Sequence, residues 1–326
     1  IYNIQLEIYI IIKQQILMIL ITGSSGYIGS EIANYLEKKN IKYIGIDNHV
    51  YSSSKNIINK KKHFKIDISN NKIGKLIRKN KITTIIHCAA LSYVLDAEKN
   101  KKRYIQNNIR KTKKFIDLCK NLNVKNFIFL SSSNVYSENL KIFSEKNLIK
   151  PINLYGKTKV IIEKYLQTLN FKSLIILRLF NVVGMTKKFH VYKFKGINYQ
   201  RLFFKLANQQ SNFHINYKTV KNKKIFPKRD FIDIKDVSYV VSKFLNKIKS
   251  QRINKTFNLG SGIATSVIDI CKVFNVDENL KLKKTSQKEL SITKANISKI
   301  KNFLSWRPKV KIKDSVKSTQ KYIRFN

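Results

Sequence analysis

From residue 18 onward, short apolar runs alternate with longer stretches of helical period. The runs at 18–22, 42–46, 63–66, 84–88, 126–131 and 173–179 have the length and β-branched content of strands. Apolar positions at spacings of three and four predict helices over 27–39, 72–79, 103–121 and 155–169. Apolar strands joined by helices of this length predict an α/β fold of the doubly wound kind, a parallel sheet covered by helices on both faces. After Asn181 the texture changes: 184–228 is polar, basic and loop-like around a helix near 199–209. Strand patterns "RDFIDI" and "TFNLG" then alternate with helices near 235–247 and 266–274. The expected division is an extension at 1–17, a doubly wound domain over 18–180 and, over 181–326, mainly a second, smaller α/β lobe.

The first seventeen residues are expected to be dispensable, since Met18 stands directly before the first strand. Their apolar run is broken by Lys13, Gln14 and Gln15 and is too short to span a bilayer. It also lacks the basic start and cleavage site of a signal peptide. No membrane partner is expected.

Composition adds a charge question. The formal charge of +46 suits a nucleic-acid surface. However, nine arginines among 65 basic residues leave 56 lysines, and base readout favours arginine. The lysines are spread along the chain with no basic arm, so a solvated lysine surface is expected and no specific nucleic-acid partner. Cys88, Cys119 and Cys271 lie far apart without metal or disulfide spacing, as expected of reduced thiols in the cytoplasm. No metal is expected.

The stretch "TGSSGYIGS" places Gly23, Gly26 and Gly29 between a strand and a helix. Such a loop permits a tight turn, and backbone N–H groups at the following helix start can face a pyrophosphate. Alone it is equally a plain strand-to-helix turn. Asp47, about twenty residues on, ends the second strand, where a carboxylate accepts from adenosine ribose hydroxyls and repels a 2′-phosphate. The pair favours NAD over NADP. Further on, "NLYGKTK" sets Tyr155 and Lys159 four apart on one helix face. A nearby ammonium stabilises phenolate and equips tyrosine as a general base.

With these motifs in order, the chain resembles the extended short-chain dehydrogenases/reductases of the nucleotide-sugar epimerase and dehydratase family, from Met18 to Arg307, most of all its UDP-hexose 4-epimerases. The resemblance implies an NAD site built from Gly23, Gly26, Tyr27, Ile28, Gly29, Asp47 and Asn48. It adds Asp67 and Ile68 from "KIDIS", Ala89 and Ala90 from "HCAALSYV", and Asn108 from "NNI". Lys111 departs from the family's glycine. In "FLSSSNVYS" the resemblance gives Ser132 as the residue that hydrogen-bonds the reacting sugar hydroxyl, completing a catalytic set with Tyr155 and Lys159.

Sugar 4,6-dehydratases of the family carry an Asp-Glu pair where this chain has Ser133 and Asn134. Without paired carboxyls, elimination of water loses its acid and base. For the substrate the resemblance implies contacts from Ser132, Ser133, Asn181 of "LRLFNVVG" and Arg229 of "KRDFIDIKDV". Glu289 stands in "KKTSQKEL", where the family's arginine is missing. It also implies a homodimer through helices near 103–121 and 157–169.

The expected activity is an NAD-dependent epimerase inverting C4 of a UDP-hexose by transient oxidation, with cofactor retained. Two rivals are a nucleotide-sugar 4-reductase or dehydrogenase, and a catalytically idle dinucleotide-fold protein that binds nucleic acid.

Overall fold

The computed structural model describes residues 17–137, 141–191, 202–208, 214–220, 222–276, 281–284 and 292–325. Seven parallel strands form the central sheet: β1 (Ile19–Thr22), β2 (Tyr43–Asp47), β3 (His63–Lys65), β4 (Thr84–His87), β5 (Asn126–Ser132), β6 (Ser173–Leu179) and β7 (Asn254–Leu259). Their order across the sheet is β7-β6-β5-β4-β1-β2-β3. This is the expected doubly wound arrangement, with strand order reversing between β1 and β4.

Alternation along the strands divides the core. Ile19 and Ile21 of β1, Ile128 and Leu130 of β5, and Ile175 and Leu177 of β6 face one layer. It holds α1 (Tyr27–Lys38), through Ile32, Ala33 and Leu36, and α5 (Ile234–Ser250). Leu20, Ile85, Phe127 and Phe129 face the other. There α2 (Lys72–Lys79), α3 (Thr112–Asn121) and α4 (Leu154–Gln167) cover the sheet. A strand buried on both faces reads as a continuous apolar run, which is why these strands were plain in the sequence.

Three elements differ from expectation. The boundary at residue 180 does not divide the layers: β7, well beyond it, pairs with β6 from Asn254↔Leu174 to Leu259↔Leu179 and completes the central sheet. A local pattern shows that a strand exists, not which sheet receives it. The helix expected over 103–121 is interrupted, because Ile105–Lys111 is wound as π-helix between Lys101–Tyr104 and α3. Within 184–228, expected to be mostly loop, lie the strands Phe189–Val191, His214–Val220 and Lys223–Ile225, while Lys228–Asp233 is the strand expected from "RDFIDI". Phe189–Val191 pairs with Ile323–Phe325 at the far end of the chain, and lysines blur the alternation of His214–Val220 and Lys223–Ile225. The expected helix near 199–209 is observed as Leu202–Ala207, and residues 199–201 and 209 lie outside the described residues.

Candidate active site

All seven strands are parallel, so the loops after β1, β4, β5 and β6 gather at one end of the sheet. A cavity of about 520 Å³ opens there. Its floor is the glycine loop. Gly23 has φ +68°, and a Cβ at this position would lie 2.9 Å from the backbone of Ala89, so the loops after β1 and β4 meet only because Gly23 has no side chain. A Cβ on Gly29 would come within 2.1 Å of the Gly23 carbonyl oxygen, so α1 can approach the loop only with glycine there. Gly26 is the N-cap of α1, and no side chain caps that end. The first-turn N–H groups of a helix lack partners within it, so this end offers donors to an anion. Gly26, Tyr27, Ile28 and Gly29 all line the cavity.

Asp47, at the end of β2, lines the next part. Its Oδ2 accepts from the Ser25 N–H at 3.2 Å, and its Oδ1 accepts from the His49 N–H and the Ser52 hydroxyl, both at 2.9 Å. These bonds fix the carboxylate beside the glycine loop. Asn48 lines the cavity and donates to Asp67 Oδ2 at 2.8 Å. Ile68, Ala89 and Ala90 are also in the wall.

Four expected site residues are placed elsewhere. Asp67 is not among the cavity residues. It pairs with Lys111, Nζ to Oδ2 2.7 Å, and takes further bonds from Ser69 and Asn48. Burial opposes its ionisation, but the Lys111 ammonium and these donors outweigh that effect and hold the carboxyl well below its usual range. Lys111, the departure from the family pattern, thus has a partner. Asn108 is buried behind the wall: its Oδ1 accepts from the Leu91 N–H and its Nδ2 donates to the Leu91 carbonyl, both at 2.9 Å. Its neighbour Asn107 lines the cavity instead. Ser133 lies outside the wall and its carbonyl accepts from the Tyr136 N–H at 3.2 Å. Arg229 is half-buried on Lys228–Asp233 and is not in the wall. Glu289 lies outside the described residues.

Ser132, Tyr155 and Lys159 do come together in the cavity wall, with Asn181 beside them. Ser132 ends β5, and its Oγ accepts from the backbone N–H of Asn134 at 3.2 Å and from its side-chain amide at 3.0 Å. Asn153 caps α4 by accepting from the Gly156 N–H at 2.8 Å, and its own amide donates to Asn134 Oδ1 at 3.1 Å. The cap sets where α4 begins, and Tyr155 and Lys159 follow on one face. Lys159 Nζ donates to the Leu130 carbonyl at 2.8 Å and lies 5.8 Å from the centre of the Tyr155 ring. Burial pulls this ammonium down to about 8, against the raising influence of Cys88 and Glu163. The Cys88 thiol is itself pushed up to about 12 by burial, so it is an inert part of the wall.

Sequence reasoning missed the groups that hold these residues in place. Tyr104 lies between Lys101 and the π segment, and its hydroxyl bonds both the carbonyl and the N–H of Tyr93, at 2.8 and 3.2 Å. Asn108 does the same for Leu91. Two side chains thus bind alternate residues of the loop after β4 as a neighbouring strand would. Asn108 also donates to Thr158 Oγ1 at 3.3 Å, which ties that loop to the catalytic helix. The apolar far wall, from Phe203, Phe204 and Phe231, had only the signals "LFFKLA" and "RDFIDI", neither of which points to a cavity.

The sequence profile of the NAD dependent epimerase/dehydratase family matches residues 19–260, which span all seven strands of the central sheet and include Ser132, Tyr155 and Lys159. This chain belongs to that family. NAD is its cofactor, and the uncapped α1 terminus, the close glycine loop and the fixed Asp47 carboxylate fit such a dinucleotide.

The chain is similar to a dTDP-D-glucose 4,6-dehydratase of Dictyostelium discoideum, 30% identical over 78% of this chain and 60% of that longer protein. It is equally similar, at 30% identity, to a UDP-glucose 4-epimerase of Haemophilus influenzae over 80% and 83% of the two chains. Among solved structures, the UDP-Glc/GlcNAc 4-epimerase of Campylobacter jejuni superposes with a TM-score of 0.80 at 29% identity, over 94% and 98% of the chains. No described helix is long and apolar enough to cross a membrane. No group of three or more metal-ligating side chains occurs among the described residues.

Proposed function

We propose that this protein is a nucleotide-sugar 4-epimerase acting on a UDP-hexose. The observation that carries the reading is the surroundings of Ser132. Family members that eliminate water and family members that invert a carbon are equally similar in sequence, so the distinction rests on what stands beside that serine. Here it is the amide of Asn134, which donates hydrogen bonds but does not ionise near neutral pH and so cannot act as a general acid or base. The described carboxylates that line the cavity are Asp47 and Asp96. Asp96 is held by Arg103 at 2.5 Å and Asn100 at 2.6 Å, and Asp47 by the bonds given above. Neither is arranged as an elimination pair.

Gly23, Gly26, Gly29 and the α1 terminus would hold the NAD pyrophosphate, and Asp47 the adenosine ribose. Bound NAD supplies a reversible hydride acceptor. Tyr155 takes the proton from the sugar 4-hydroxyl and later returns it, Ser132 orients that hydroxyl, and the Lys159 ammonium stabilises the phenolate. Asn181, in the wall and bonded to the Asp230 carbonyl at 3.0 Å, is placed for a substrate contact.

The test is product identity. Incubated with UDP-galactose, the NAD-loaded protein is expected to yield UDP-glucose without net NADH. Incubated with dTDP-glucose, it is expected to yield no 4-keto-6-deoxy sugar. Formation of the keto sugar would replace this reading with elimination.

A pH dependence follows from Lys159. The ammonium is the useful form, and with its value lowered to about 8 it is lost as pH rises through 8. The expected kcat/KM of the NAD-loaded protein therefore falls above about pH 8. Stability responds in the opposite sense. Between 8 and the ordinary lysine value of 10.5, the unfolded chain binds the proton that the folded chain has released, so Lys159's contribution to stability rises with pH. A reversible loss of activity without unfolding is expected across that window. A flat profile to pH 10 would take Lys159 out of the role.

A further inference from the structure

The end of the central sheet opposite the active site carries a second concavity, of about 270 Å³. Lys125 stands just before β5, Lys172 just before β6 and Arg252 just before β7, while Lys120 reaches in from the last turn of α3. Four cations therefore converge on one basin whose other polar lining residues are the neutral Asn123 and Asn170. No carboxylate lines it, and none of the four cations is in an ion pair among the described residues.

Two of the arms are fixed in place. Lys120 Nζ donates to the Asn170 carbonyl at 2.5 Å, and Arg252 Nη2 donates to Asn170 Oδ1 at 2.8 Å. Each head group keeps further N–H donors beyond these bonds. Cations gathered around one basin make a receptor for negative charge, because a multivalent anion can take charge-assisted hydrogen bonds from several of them at once.

We infer that this basin is a second ligand site, for a short oligophosphate such as a di- or triphosphate group. The volume equals that of roughly nine liquid waters, room for a chain of phosphoryl groups. No aromatic side chain lines it to stack a base, so it reads phosphate and leaves the remainder of the ligand in solvent.

The experiment is calorimetric titration of the full chain with inorganic triphosphate, with NAD saturating so that the pyrophosphate end of the main cavity is taken. The site variant is Lys120→Gln/Lys172→Gln/Arg252→Gln. Because the whole chain carries +46, the control removes three exposed lysines of α2, Lys72→Gln/Lys75→Gln/Lys79→Gln. The expected result is one-to-one binding that the site variant weakens by at least about tenfold and the control leaves within about twofold. Equal weakening in both variants would show a diffuse ion atmosphere and overturn the inference, as would the absence of saturable binding. If a single-stranded RNA displaces triphosphate and its own binding falls in the site variant, the basin belongs to a longer nucleic-acid track and the small-ligand assignment fails.

Discussion

Replacing Tyr155 with phenylalanine is expected to lower kcat by about 10²–10⁴, the usual contribution of a positioned general acid or base. The change removes one oxygen from a side chain that is otherwise buried among Leu91, Ala97 and Tyr104, so the ring keeps its packing. Thermal unfolding should be nearly unchanged, and KM should move little, because the hydroxyl acts on the proton in flight more than on the bound sugar. The decisive readout is the split between kcat and KM, measured beside an NAD-binding isotherm. A variant that binds NAD and keeps a tenth of wild-type turnover would remove Tyr155 from the chemistry.

The second large effect is on stability. Glu163 lies one turn beyond Lys159 on α4, buried beneath the site. Its carboxylate takes the Ser131 hydroxyl at 2.5 Å and a fork from Arg178, with Nη2 at 2.7 Å and Nε at 3.1 and 3.2 Å. Arg178 on β6 also donates to the Tyr136 hydroxyl at 3.1 Å, and Tyr136 donates to Asn258 of β7 at 2.5 Å.

Glu163→Ala leaves a buried guanidinium without its counter-charge, which costs about 3–5 kcal/mol. At roughly 2 °C per kcal/mol for a large domain, the unfolding temperature should fall by about 6–10 °C. Replacing both members, Glu163→Ala with Arg178→Met, should recover part of the loss, since the stranded charge is then gone. A single variant within 1 °C of wild type would contradict this reading of the network.

That network also marks where sequence reading stops. The glycine loop, Asp47 and the Tyr155/Lys159 pair were legible because each is local: a few residues whose spacing matches one turn or one helix face. Glu163 and Arg178 are fifteen residues apart, and Tyr136 and Asn258 are 122 apart; no periodicity links them, and only the sheet brings them together. Asn108 and Asn107 show a finer limit. Asn108 was assigned to the cofactor by resemblance, whereas in the π segment Ile105–Lys111 it is Asn107 that lines the cavity.

Asp67 was placed against the adenine by resemblance, and the pairing of its carboxylate with the lysine that replaces a glycine at position 111 was not foreseen. The strands of the sheet were legible up to β6 as local apolar runs, but their order was not, and the place of β7 had to be seen, since its pattern fits a strand in either lobe.

The central claim is that C4 of the sugar is oxidised and reduced in place, with its hydrogen carried away and returned on the same molecule of protein. UDP-galactose labelled with deuterium at C4 tests this most directly, with the UDP-glucose product examined by mass spectrometry in unlabelled water. The account predicts that the deuterium is retained at C4 and that no label reaches the solvent. Product carrying hydrogen from water at C4 would contradict it.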